Sequence, residues 1–265
     1  MVDAVEGDVA SRPVCPQHPE REAVLTCARC GRYACSGCVA GEGRCRECLR
    51  LSALEVPDSR ARARRATVLQ YAQVGTSLVG VLFGLLVRPE IEGQARLQYV
   101  AENSFLFLVF VVTLAEKISF LMWVHRVVRQ LEGLGMDIGR SPAGAVWMWL
   151  IPFISWWKPY GVMRDIAERL GGMRFVASLP LQWWWTSHIL ALVLDRVETG
   201  LSSRPIAAVD STAGTVAGVL ASVSAAAMSL LCVQIIKDLQ ARLDRRREGL
   251  DEEEAPAAGD VAEAA

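Results

Sequence analysis

The chain is short of catalytic signatures. It holds no G-x-S-x-G elbow, no H-E-x-x-H pair, no Walker loop and no G-x-G-x-x-G fingerprint, so nothing points to an α/β-hydrolase, a zincin, a phosphate-loop enzyme or a dinucleotide enzyme. It also lacks a charge excess. A formal net charge of -1 over 265 residues gives no overall attraction for nucleic acid. Residues 1–65 contain no long apolar stretch, and the opening MVDAVEGDVASRPV is acidic and polar, with neither a basic n-region nor an apolar h-region. A cleavable signal peptide is therefore not expected, and residues 1–12 read as a flexible N-terminus.

Cysteine is abundant in the segment that follows. Of the 8 cysteines all but Cys232 lie between Cys15 and Cys48, where with His18 they make the knuckles Cys15/His18, Cys27/Cys30, Cys35/Cys38 and Cys45/Cys48. Two residues separate the members of each pair, a spacing that turns both side chains toward one point. Zn2+ takes four such N or S ligands at about 2.0–2.3 Å, so two knuckles close one site and the array predicts two structural Zn2+ ions. A disulfide scaffold would need an oxidising compartment, and an odd number of sulfurs cannot all pair with one another. Filled tetrahedral sites leave no open position for substrate, and the chain is expected not to be an enzyme. Spacing alone leaves open whether the knuckles pair sequentially or interleave. Arg29, Arg32, Arg44 and Arg46 stand beside the ligands, where they are expected to offset thiolate charge.

The mean hydropathy of +0.27 is high for a soluble chain, and the apolar residues concentrate after residue 66. Thr67–Val87 is an uncharged run, long enough for a hydrocarbon core that takes about 20 helical residues. Asn103–Val124 carries Glu116 and Lys117 near its middle, Leu179–Leu194 contains His188, and Ala213–Ile236 is followed at once by Lys237. Four transmembrane helices are expected, at about 67–87, 103–124, 179–197 and 213–236. Val146–Trp157 is too short to cross, and Pro142, Pro152 and Pro159 predict an interfacial or re-entrant segment over 146–157.

Basic residues set the orientation. Arg60, Arg62, Arg64 and Arg65 precede the first span. Arg126, Arg129, Arg140, Lys158, Arg164, Arg169 and Arg174 fill the loop between the second and third, and Lys237, Arg242 and Arg245 to Arg247 follow the fourth. The other two loops offer only Arg88, Arg96, Arg196 and Arg204. A multi-pass protein of the inner (plasma) membrane with both termini cytoplasmic is expected, which also keeps the thiolates in a reducing compartment.

Within the spans, Glu116, Lys117 and His188 form a candidate intramembrane polar site, with Asp195 and Asp210 near span ends. Gly80/Gly84 and Gly214/Gly218 have small-xxx-small spacing, a pattern of close helix packing and a possible homo-oligomer contact; Cys232 reads as a small buried hydrophobe. All 8 tryptophans lie between Trp123 and Trp185. They predict an aromatic belt at the cytoplasmic interface, with Trp183, Trp184 and Trp185 as an alternative stacking platform. Val162, Ile166 and Leu170 recur every four residues and predict an amphipathic helix. Residues 51–66 read as a basic juxtamembrane linker, and 241–265 as an acidic disordered tail.

The stretch CPQHPEREAVLTCARCGRYACSGCVAGEGRCREC resembles a B-box zinc finger. The resemblance implies interleaved sites, with Cys15, His18, Cys35 and Cys38 on one zinc and Cys27, Cys30, Cys45 and Cys48 on the other. It departs from that family at the last knuckle, where Cys45 and Cys48 stand in place of the more common histidines. It also implies protein contacts and self-association as the finger's role. Further on, SPAGAVWMWLIPFISWWKPYGVMRDIAERL is similar to a bacterial domain family of unknown function with four membrane spans and a W-[KR]-P-Y loop, matched here by Trp157, Lys158, Pro159 and Tyr160. That likeness covers roughly 66–240 and implies architecture only.

The expected fold is a small zinc-stabilised finger (13–50) with two interleaved zinc sites, joined to an all-α membrane bundle of four transmembrane helices (67–240). The expected function is that of a zinc-binding integral membrane protein whose partners are the lipid bilayer and an unidentified cytoplasmic protein bound by the finger. A transporter or channel with a regulatory finger is the alternative. A membrane-tethered nucleic-acid binder comes third, because Arg21, Arg29, Arg32, Arg44, Arg46 and Arg50 are largely balanced by Glu20, Glu22, Glu42 and Glu47.

Overall fold

A computed structural model describes residues 13–40, 43–86, 95–202 and 211–252. The chain divides into two units, Met1–Pro57 with Gln130–Asp137, and Asp58–Arg129 with Ile138–Ala265. The expected flexible segment 1–12, Asp210 and the last 13 residues of the expected tail (253–265) lie outside the described residues.

The first unit is built from three small antiparallel ladders. β1 (Val14–Cys15) pairs with β2 (His18–Glu22), β3 (Leu25–Thr26) with β4 (Tyr33–Ala34), and β5 (Val39–Ala40) with β6 (Arg44–Cys45). Strands this short bury almost no apolar surface. The buried cluster between them consists of Cys15, Cys27, Cys35, Cys38, Cys45, Cys48 and Ala34, with Val39 packed against it. Sulfur therefore occupies the place of a hydrophobic core, and about 35 residues without metal would have too little buried surface to fold. α1 (Arg46–Glu55) starts inside the last knuckle and carries Cys48. The expected linker is thus largely helical, interrupted at Pro57 and Asp58. Arg29 donates to the Cys48 carbonyl at 3.1 Å and reaches Ser52 and Glu55, tying α1 to the second knuckle.

The second unit is helical: α2 (Arg60–Leu86), α3 (Ala95–Gly133), α4 (Pro142–Leu150), a 3-10 turn over Ile154–Trp156, α5 (Lys158–Ser178), α6 (Leu181–Ser202) and α7 (Ser211–Glu252). α4 begins as its sequence suggests, with Ser141 Oγ accepting from the Gly144 amide at 3.1 Å and Pro142 in the first turn. α7 packs along both α2 and α6. Burial is concentrated toward one end: Phe120, Trp123, Val124, Val127 and Val128 of α3, Val162, Met163, Ile166, Ala167 and Leu170 of α5, and Val233, Ile235, Ile236, Leu239 and Leu243 of α7. Toward the other end large apolar side chains are exposed, among them Leu78 and Leu82 of α2, Leu106, Phe107 and Phe110 of α3, and Val216, Leu220 and Val223 of α7.

Among the described residues two helices are long and apolar enough to cross a membrane, over Tyr99–Gly133 with a mean hydropathy of 2.1 and Ala213–Gly249 with 2.2. Only 11% and 22% of their apolar windows are buried. The core helix of a soluble protein would show the opposite, so these surfaces suggest membrane association. α7 also continues past the expected start of the tail at residue 241. Leu239 and Leu243 keep one face buried, and Arg60 of α2 pairs with Asp244 at 3.0 Å and with Glu248. These contacts hold the helix through Glu252, in a stretch (241–252) where Arg242 and Arg245 to Arg247 balance Asp244, Glu248, Asp251 and Glu252.

α5 bends at Gly171–Gly172. A Cβ on Gly171 would lie 2.6 Å from Phe175 Cβ and 2.8 Å from an Arg242 nitrogen, and the Arg242 guanidinium stacks 4.2 Å from the Phe175 ring. Gly172 has φ 70° and ψ -176°, a region open essentially to glycine alone. Gly172→Ala is therefore expected to destabilise the helical unit by about 1–3 kcal/mol. The thermal unfolding midpoint of the detergent-solubilised chain should fall, and an unchanged midpoint would contradict the strained conformation.

Candidate metal centre

The ladders bring the knuckles together first with third and second with fourth. Cys15, His18, Cys35 and Cys38 form one cluster and Cys27, Cys30, Cys45 and Cys48 the other, with the ligand atoms of each within 4.8 Å of one another. Cys15 and Cys38 Sγ are 3.8 Å apart, as are Cys30 and Cys45 Sγ. The edge of a tetrahedron of sulfurs about 2.3 Å from a central ion is about 3.8 Å, so the spacing fits a tetrahedral metal site and is compatible with zinc. It is far beyond a disulfide's roughly 2.05 Å, and all the cysteines are free. His18 turns Nδ1 inward, 3.2 Å from Cys38 Sγ, 3.6 Å from Cys35 Sγ and 4.0 Å from Cys15 Sγ. The donor sets thus fit a tetrahedral, thiophilic divalent ion, and each is complete with four ligands.

The surrounding backbone prepares some of these sulfurs as thiolates. The Cys35 backbone, more than any other group, brings the Cys15 thiol down to about 6. At Cys27 the Cys30 backbone and then the Cys45 amide, 3.3 Å from Sγ, have the same effect, again to about 6. Burial, followed by neighbouring thiols, pushes Cys38 and Cys48 up to about 12. Without a cation each cluster therefore mixes thiolate and thiol. Metal loading must displace the remaining protons. The second cluster is the more open, since Cys30 is exposed.

The polar residues expected inside the spans each find partners on other helices or stand exposed. Glu116 is buried and accepts a hydrogen bond from Gln70 Nε2, which also lies 3.3 Å from Cys232 Sγ. One turn along, Thr113 Oγ1 donates to Gln73 Oε1 at 3.1 Å. Lys117 is exposed. His188 lies on α6, with Nδ1 3.3 Å from Met228 Sδ and its ring 5.0 Å from that of Trp185. Gln70 and Gln73 escape a reading of the sequence because a run without charge reads as apolar; two amides one turn apart are the available signal. Asp195 is exposed beside Arg196.

Aromatic residues gather at the packed end of the helices. Trp149 meets Phe120 at 5.1 Å and Trp184 at 6.1 Å, Trp184 meets Trp185 at 5.5 Å, and buried Trp123 donates to Gln240 Oε1 at 3.1 Å. Trp183 is 72% exposed and Phe153 79%. In the W-K-P-Y loop, Trp157 is exposed while Pro159 is buried in the first turn of α5. The family model named Domain of unknown function (DUF4328) matches residues 91–241. The chain belongs to the DUF4328 family. The DUF4328 match takes in α4, α5, α6 and the W-K-P-Y loop, and leaves both cysteine clusters and α2 outside it. No curated protein matches the chain, and no solved structure does.

Proposed function

We propose that this DUF4328 protein is a non-enzymatic, zinc-binding integral membrane protein whose B-box-like finger recruits a cytoplasmic protein to the inner membrane of a bacterium. The observation that carries the reading is the pair of complete four-ligand clusters, spaced for tetrahedral metal and occupying the place of a core. A closed site folds a surface and leaves that surface free for recognition. α2 and α6 complete a four-span bundle with α3 and α7. The basic residues flanking α2, α3 and α7 favour cytoplasmic termini. Glu116 with Gln70, and Thr113 with Gln73, then lie within the bilayer, where pairing across helices relieves the burial of polar groups.

The test is affinity capture with the full chain in detergent, zinc-loaded wild type against Cys27→Ser. A protein retained by the wild type and lost with the variant is the expected result. Identical captures from both would refute recruitment by the finger.

A further inference from the structure

The two clusters differ in how much protein covers them. Of the finger's cysteines, Cys30 is exposed, whereas Cys15, Cys27, Cys35, Cys38, Cys45 and Cys48 lie between 1% and 8% exposed. The local backbone explains the difference. Cys30 stands at the tip of the second knuckle, where the Gly31 amide returns to the Cys27 carbonyl at 2.9 Å and Gly31 turns the chain at φ 71°. Ala28, Arg29, Gly31 and Arg32 around it are exposed as well, and a Cβ on Gly31 would meet nothing within 4 Å. The corresponding tip of the third knuckle is covered. Cys38 Sγ lies 3.2 Å from Gln17 Oε1, and Arg21 Nη1 lies 3.3 Å from where a Cβ on Gly37 would sit.

A peroxide oxidises sulfur by direct contact, so exposure selects which thiolate reacts. We propose that Cys30 is a site of oxidation by hydrogen peroxide, at which a disulfide with Cys45 opens the second metal cluster. Cys45 Sγ stands 3.8 Å from Cys30 Sγ. The Cys30 thiolate attacks one peroxide oxygen, the O–O bond breaks, hydroxide leaves and Cys30 becomes a sulfenic acid. The Cys45 thiolate then attacks the Cys30 sulfur and expels the second hydroxide. The two sulfurs have given two electrons to the peroxide, and both hydroxides take up protons to leave as water. Sulfurs joined at roughly 2.05 Å are no longer thiolates, so the cluster keeps two ligands of four and loses its hold on the ion. Cytosolic disulfides of this kind are transient and redox-sensing. The first cluster offers the same spacing, with Cys15 and Cys38 Sγ 3.8 Å apart, but all its cysteines are buried. It keeps its ion at doses that empty the second. The site rests on the metal-binding reading above and adds to it a modification that acts on one cluster.

The test adds hydrogen peroxide in stoichiometric steps to the full zinc-loaded chain in detergent. Released metal is read with a chromogenic chelator, and the remaining thiols are alkylated before peptide mass spectrometry. The first ion should leave as a disulfide joins Cys30 to Cys45, while Cys15, Cys35 and Cys38 are still recovered as alkylated thiols. The second ion should need about 10-fold more peroxide. Cys30→His exchanges the exposed sulfur for a ligand that resists peroxide, and should raise the dose that frees the first ion by a similar factor. A disulfide joining Cys15 to Cys38 at the same dose, or two ions released together, would overturn the proposal. A Cys30→His chain that holds two ions and releases metal at the wild-type dose would also overturn it. A wild-type chain that takes up no metal before peroxide is added would refute the metal reading itself, a separate outcome.

Discussion

Cys27→Ser should unfold the finger and strip its metal while the helical unit stays inserted. Cys27 is 1% exposed, at the centre of the second cluster, and its Sγ receives the Cys45 amide. Removing it leaves three ligands where four closed the site, and a serine hydroxyl is a poor substitute for thiolate. The ladders are two to five residues long and have no apolar core to fall back on. Structural zinc is worth about 10–16 kcal/mol to small fingers, more than such a domain can recover elsewhere. Bound zinc should fall to one ion per chain or fewer, and trypsin should cut after Arg21, Arg32 and Arg44, which wild type protects. Helical circular dichroism should barely change. A protease-resistant finger without metal would contradict the assignment of the sulfurs as its core.

Phe110→Arg should block stable membrane insertion. Phe110 lies within the expected span 103–124 of α3 and is 62% exposed. On a water-facing surface an exposed Phe→Arg change lies within about 0.5 kcal/mol of neutral. At the centre of a spanning helix it costs about 3 kcal/mol in insertion. The same substitution is thus near neutral in one environment and costly in the other. Resistance to alkaline carbonate extraction should be kept by wild type and reduced in the variant. A variant that is equally membrane-bound, or a wild type released by carbonate, would contradict a lipid-facing α3.

The metal ligands are legible in the sequence because a C-x-x-C knuckle encodes ligand geometry locally. Which knuckles share an ion is less accessible, since it depends on the path of the ladders, and Cys15 meets Cys38 across 23 residues. The apolar runs of α3 and α7 announce themselves by length. Gln70 does not, because its role is set by Glu116 and Cys232, distant in sequence and supplied by other helices. The end of α7 is hidden for a similar reason. Its composition resembles a tail, while Leu243 and the Arg60 pairs that hold it helical are tertiary facts. Arg29 is held above its ordinary value by Glu55 and then by the Cys48 and Cys27 sulfurs, as its place beside the ligands suggests, and its guanidinium also bonds the Cys48 carbonyl and fastens α1, which only the fold shows.

Zinc content and coordination of the full wild-type chain, recovered from membranes without added metal, test the central claim most directly. Elemental analysis should find two zinc ions per chain, and X-ray absorption should show a sulfur-dominated shell at about 2.3 Å with a smaller nitrogen contribution from His18. A metal-free chain with a folded finger, or oxygen-rich coordination, would contradict it.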